Sequence, residues 1–187
     1  MLFSLLPVLS GCFSLREPDK PVSDSSWNTP YSVKILLEDM QTAMKTLNVN
    51  NFQRCLNERN FKFTADPTVS GNNLGNFSNW TRNDEAIVLT NILNFKKNVP
   101  VNTNNSLTFT ASSVPSNSSV DSAEYSYAYE LRLFHADGNY PYTDFRGNAT
   151  FTIVRSANND YSIVAWRDNR NSSFPCWSEL KQHFITL

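Results

Sequence analysis

Tyr127, Tyr129 and His135 are the side chains whose types and spacing come nearest to a reaction centre. In EYSYAYELRLFH (124–135), strict alternation sets Tyr125, Tyr127, Tyr129, Leu131, Leu133 and His135 on one face. A tyrosine hydroxyl can donate to a carbonyl or enolate oxygen, and a histidine can move a proton near neutral pH. Asp39 sits one position before Met40 in an apolar helical pattern, but a general base needs a carboxylate desolvated in an apolar pocket. By period-2 counting no Asp or Glu falls in an inward strand series, and Glu130 and Arg132 read as a surface pair. Trp166-Arg167-Asp168 ends the last strand-like run. It reads as an edge Trp packed on Trp177, with Arg167 and Asp168 in water; a ligand-contacting rim is the functional alternative. Tyr127, Tyr129, His135 and Trp166 are therefore candidate pocket residues, read first as sheet aromatics and a solvated histidine. No residue is assigned a catalytic role.

Other chemistries find less support. Two His and three Cys show none of the close spacings of a metal site. Neither a Gly-rich phosphate loop nor a G-x-S-x-G elbow occurs, so neither metal nor cofactor is expected. Lys plus Arg number 16 against 17 Asp plus Glu, without a basic stripe, so a nucleic-acid partner has no electrostatic basis. In an oxidising compartment Cys55 and Cys176 could pair, pinning the C-terminal tail to a second helix; two separate small apolar cysteines are the alternative.

The elements that would position these residues read as α+β. A helix is expected near Pro30, with Thr29 as N-cap, carrying Val33, Leu36, Leu37, Met40, Ala43, Met44 and Leu47 on one face. A short second helix holds Phe52, Cys55 and Leu56, and FKFTAD (61–66) alternates as a strand. Residues 67–80 read as a polar loop. Thr81 with Asp84 and Glu85 reads as a helix N-terminus, with Ala86, Leu89, Ile92 and Leu93 as its apolar face and Lys96 and Lys97 at its end. Strands follow at 106–114, 124–135, 145–156 and 160–169, then one or two helical turns in PCWSELKQHF. Helices followed by a run of antiparallel strands argue for helices on one face of a curved sheet. At 187 residues and 40% hydrophobic, the chain suits a single domain.

The N-terminal residues MLFSLLPVLSGC carry an apolar run too short to span a bilayer. Leu9-Ser10-Gly11-Cys12 resembles the bacterial lipobox, in which the cysteine thiol receives a diacylglyceryl group and the peptide is cut just before it. No Lys or Arg precedes Cys12, where such peptides usually carry one, which is consistent with a start further upstream. The resemblance implies a signal peptide over 1–11, a tether over 12–29 and a domain over 30–187. It also implies a membrane partner through the lipid on Cys12, in a bacterial cell envelope (the outer membrane where one exists).

Thr29-Pro30 with VKILLEDMQTAMKTLNVNNFQRCLNERNFKFTAD, then WTRNDE (80–85), YSIVAWRDN (161–169) and WSELKQHF, resembles the NTF2-like (SnoaL-like, cystatin-like) superfamily over about residues 29–184. Ser32 stands where Glu is usual and Tyr161 where Trp is common. The resemblance implies a cone: a curved sheet around a cavity closed by helices. Some members are enzymes and many bind or assemble, so fold does not decide function. The expectation is a lipid-anchored, non-catalytic module binding a small apolar ligand or a protein partner. A SnoaL- or isomerase-type enzyme with a pocket acid or base and a homodimer pairing through the outer sheet face are the alternatives.

Overall fold

The computed structural model describes residues 27–71, 77–100 and 103–187. Cys12, the expected signal peptide and most of the expected tether lie outside the described residues. The packed region begins before Pro30. Asn28 donates from its backbone and side chain to Asp39 Oδ1 at 3.3 and 3.4 Å, and Arg54 lies over the Trp27 ring.

Helix α1 spans Val33–Thr46. Its N-cap is Ser32, whose hydroxyl accepts from Ile35 N at 3.2 Å, so the helix starts after the Thr29-Pro30 pair and not at it. The expected apolar face is the buried one, and Asp39 is buried with it. Helix α2 spans Val49–Cys55, capped by Asn48, and leads into β1, Lys62–Thr64. Asp66 then caps a single turn, α3 (Pro67–Ser70), where a loop was expected. The capping box at Thr81 and Asp84 opens α4, Arg82–Lys96. Its buried stripe is Glu85, Val88, Leu89 and Ile92, while Leu93 is partly exposed. The apolar face is thus rotated from the one expected, and a glutamate lies in it.

Strands β2 (Ser106–Ala111), β3 (Ser122–Arg132), β4 (Asp144–Arg155) and β5 (Tyr161–Asn169) form an antiparallel meander. β1 adds in parallel beside β5, giving the order β1-β5-β4-β3-β2. The β4–β5 turn uses Asn159 at φ 65, a left-handed conformation that asparagine tolerates. Helix α5, Trp177–Ile185, closes the chain.

Every helix that touches the sheet packs on the same face. α1 lies on β2 and β5, α2 on β5, and α5 on β4 and β5, while α4 braces α2 and α5. That face carries Leu107, Tyr129, Leu131, Phe145, Phe151, Ile153, Ile163 and Trp166, all buried. Each large apolar side chain so removed from water contributes about 1.5–3 kcal/mol. The opposite face is polar, with ion pairs between Glu124 and Arg167, Glu130 and Arg146, and Arg132 and Asp144. Glu130 and Arg132 are on the surface as expected, but each pairs with β4 and not with the other.

Candidate functional site

One irregularity in β5 decides what faces the interior. Ile153 on β4 is opposite Ile163, yet the preceding Thr152 is opposite Ala165, so Val164 has no partner. Such a bulge shifts the side-chain alternation by one residue. Before it Ile163 faces the helices; after it Trp166 and Asp168 do. Asp168 is 1% exposed, which overturns the expectation of a solvated aspartate and of an interior without a strand carboxylate. Trp166 is packed on Trp177 as expected (ring centroids 4.5 Å), but it is fully buried at the centre of the core, on an internal strand and not at an edge or rim.

Asp168 is held by three donors. Tyr129 Oη donates to its Oδ1 at 2.8 Å, and Ser178 N and Oγ donate to its Oδ2 at 2.7 and 2.6 Å. Tyr129 Oη in turn accepts from Trp177 N at 2.7 Å. The network thus anchors the first turn of α5 to β3 and β5. Burial pushes the Asp168 carboxyl above its ordinary value, against the pull of Ser178 and Tyr129. Burial, reinforced by the Asp168 charge, drives the Tyr129 hydroxyl far above its usual range. Gly147 makes this approach possible: a Cβ there would lie 2.6 Å from Tyr129 Oη and 2.7 Å from Asn169 O.

Beside this network lies a second, ionic one. Lys181 Nζ meets Glu85 Oε1 at 2.6 Å, with side-chain exposures of 0% and 2%. Trp80 Nε1 donates to the same oxygen at 2.7 Å. The ammonium sits 3.3 Å from the Phe63 ring centroid and 3.4 Å from that of Trp166, a cation–π sandwich. Desolvation, opposed by Glu85, brings the Lys181 amine down to about 8 and raises the Glu85 carboxyl. Sequence reasoning missed both residues, although a signal existed. Glu85, Val88, Leu89 and Ile92 share one helical stripe, and so do Trp177, Leu180, Lys181 and Phe184. One opposite charge on each of two apolar stripes is the pattern of a buried pair.

The other expected pocket residues are not brought together with these. Tyr127 is half-buried with Phe109 and Phe151, its ring 5.8 and 6.2 Å from theirs. Burial and then Tyr125 raise its hydroxyl. His135 lies beyond the end of β3. It is not simply solvated: it stacks on Tyr140, meets Phe184 edge-on, and bonds Tyr142 O through Nε2 at 2.9 Å. Desolvation depresses its pKa, against the pull of the Tyr142 carbonyl. The Asp39 carboxyl is raised by burial, but Asn28 occupies one oxygen. Asp66 is also buried. Burial pushes it up, yet bonds from Thr68 and Arg170 N outweigh that and leave it below its ordinary value, a cap and not a base. Cys55 and Cys176 are both buried and unbridged; Cys55 Sγ approaches Asn51 O at 3.5 Å, and Cys176 is the N-cap of α5. Burial raises both thiols, Cys176 to about 12. Among the described residues no group of three His, Cys, Asp or Glu side chains is placed to hold a metal ion.

The interior beneath the helices is thus filled by rings and by the Asp168 and Glu85–Lys181 networks, with Trp166 Nε1 and Asp39 Oδ2 buried and without a hydrogen-bond partner among the described residues. A recess of about 720 Å3 lies along β1 and residues 77–81. Phe61, Phe63, Phe77 and Trp80 are the aromatic residues that line it, and Phe63 and Trp80 also contact the Glu85–Lys181 pair.

No protein-family model matches the chain, and no curated protein matches it. Its fold does match solved structures. A candidate aromatic ring hydroxylase from Novosphingobium aromaticivorans aligns with TM-score 0.56 at 9% identity, over 80% of this chain and 93% of that one. An NTF-2-like protein of unknown function from Shewanella oneidensis aligns at 0.50 and 14% identity, over 73% and 95%. A ketosteroid isomerase-like protein from Erwinia carotovora atroseptica aligns at 0.50 and 11% identity, over 75% and 94%. The expected α+β, NTF2-like cone is therefore the fold of this chain.

Proposed function

We propose that this is a lipid-anchored protein of a bacterial envelope whose NTF2-like domain binds a partner or small ligand without transforming it. The observation that carries the reading is the state of the interior. The buried acids and bases at its centre are held by internal partners: Asp168 by Tyr129 and Ser178, Glu85 and Lys181 by each other; Asp39, under α1, is held through one oxygen by Asn28. A catalytic group must instead reach a reacting atom at hydrogen-bond distance. Recognition then falls to the outer recess beside β1, whose volume suits a ligand or a short chain segment. The lipobox-like LSGC and the Pro-, Ser- and Asp-bearing sequence that follows it support the anchor.

The test is the mass of the mature protein purified from its own membranes. A chain beginning at an acylated Cys12, and released to the soluble fraction by Cys12→Ser, is the expected result; an unmodified Cys12 overturns the anchor. Turnover of any substrate that disappears in Tyr129→Phe overturns the non-catalytic reading. One observation favours the enzymatic alternative: Asp168 and Tyr129 form a buried carboxyl–phenol pair at 2.8 Å, which an opening of the interior would expose. The homodimer is less favoured, because pairing through the outer sheet face would bury its Glu124–Arg167 and Glu130–Arg146 ion pairs.

A further inference from the structure

We propose that the recess beside β1 takes an extended acidic peptide, which adds to the outer edge of β1 as a further strand. The inference rests on the binding reading above and names the partner of that same site.

Three observations carry it. The first is the edge. β1 ends the sheet, and among the described residues no strand lies beyond it. Residues 59–65 line the recess and no described residue of β5 does, so the recess borders the side of β1 away from β5. The outer edge of a terminal strand presents backbone donors and acceptors in the row that a peptide strand would match.

The second observation is charge. The ionisable side chains lining the recess are Arg59 and Lys62, both exposed, and no described Asp or Glu lines it. Among the described residues neither meets a carboxylate, whereas Arg132, Arg146, Arg167 and Arg170 each do. Two unpaired cations on one groove favour an anionic partner and fix its register more than they add affinity.

The third observation separates a peptide from a fatty acid, which would also be anionic. The four aromatic residues that line the recess are only 4–8% exposed, so they offer an acyl chain little surface. Around those rings stand the exposed polar side chains of Asn60, Thr64 and Asn79. Amide and hydroxyl groups suit a peptide main chain, whose own donors and acceptors need partners once water is displaced.

The experiment uses the whole domain and a pool of N-acetylated octapeptides carrying Glu at alternate positions with mixed apolar residues between. Binding is read by calorimetry, and its place by hydrogen exchange. The pool is expected to bind, to slow exchange at the amides of Lys62–Thr64, and to weaken at least tenfold in the Arg59→Glu/Lys62→Glu double variant. Both positions are exposed, so the variant's melting temperature should match the parent's. A pool with Lys in place of Glu should not bind. Equal binding of the two pools, no loss in the variant, protection elsewhere or no binding at all overturns the proposal. Dodecanoate binding in the recess while the peptides fail also overturns it, yet leaves the binding reading standing; turnover lost in Tyr129→Phe removes that reading itself.

Discussion

Replacing Glu85 by Gln tests how completely the interior is closed. The substitution keeps an oxygen that can accept from Trp80 Nε1 but removes the only carboxylate bonded to Lys181 Nζ. Even with Glu85 present, the amine falls from 10.5 to about 8, a penalty of roughly 3 kcal/mol on the charged form. Without its anion the ammonium lies between Phe63 and Trp166 with no compensating charge at contact, so the variant should lose about 3–5 kcal/mol at pH 6. The sign of the pH dependence follows from the same group. Losing Glu85 lowers the folded amine below 8, while the unfolded amine stays near 10.5. Between the variant's folded value and 8, the variant sheds a proton on folding that the parent keeps, so its stability rises with pH faster than the parent's. The deficit should therefore be smaller at pH 9 than at pH 6. Lys181→Met alone should also be costly, and the double variant should be more stable than either single one, with a coupling of at least about 2 kcal/mol. Urea unfolding of the four proteins at the two pH values reads all of this. Single-variant losses below about 1 kcal/mol with no pH dependence would mean that solvent reaches the pair, and would refute the reasoning.

Tyr129→Phe strips Asp168 of one donor and leaves Trp177 N without its acceptor; a loss of about 2–4 kcal/mol in urea unfolding is expected, and a near-neutral result would show that the network does not hold α5. Gly147→Ala drives a methyl into Tyr129 Oη and Asn169 O and should lower stability by about 1–3 kcal/mol, an effect reduced but not removed when Tyr129 is already Phe, because Asn169 O and the ring carbon stay in the way. Asp137 is held below its ordinary value chiefly by the bond from His183 Nε2, so its stabilisation is present above about pH 4 and lost as pH falls through the depressed value. Asp137→Asn should accordingly flatten the acid limb of the stability curve below pH 4, and an unchanged limb would count against the pairing.

Element order was legible because the periods are clean. The apolar stripe of α1 and the Thr81–Asp84 capping box stand in the sequence as they do in the fold. The interior was not legible, for two physical reasons. A one-residue bulge at Val164 reverses the alternation of β5, so period-2 counting from Tyr161 or Ile163 cannot place Asp168 inside. Glu85 and Lys181 are far apart in sequence and look like ordinary surface charges until their helices are set face to face. Tyr129 was read first as a sheet aromatic with a wet hydroxyl; the hydroxyl is buried, and the partner that explains it lies on another strand, 39 residues away. His135 was assigned to a strand face because the alternation continues past Arg132, whereas β3 ends there and the ring turns to Tyr140 and Phe184.

The proposed binding lies at the outer edge of the cone and not in its interior. The most direct measurement is a crystal structure of the protein purified from its native membrane, with whatever it carries retained. The account predicts bound density along β1, between Lys62 and Asn79, and none enclosed against Trp166 and Asp168. A molecule seated within bonding distance of Asp168 and Tyr129 would contradict it.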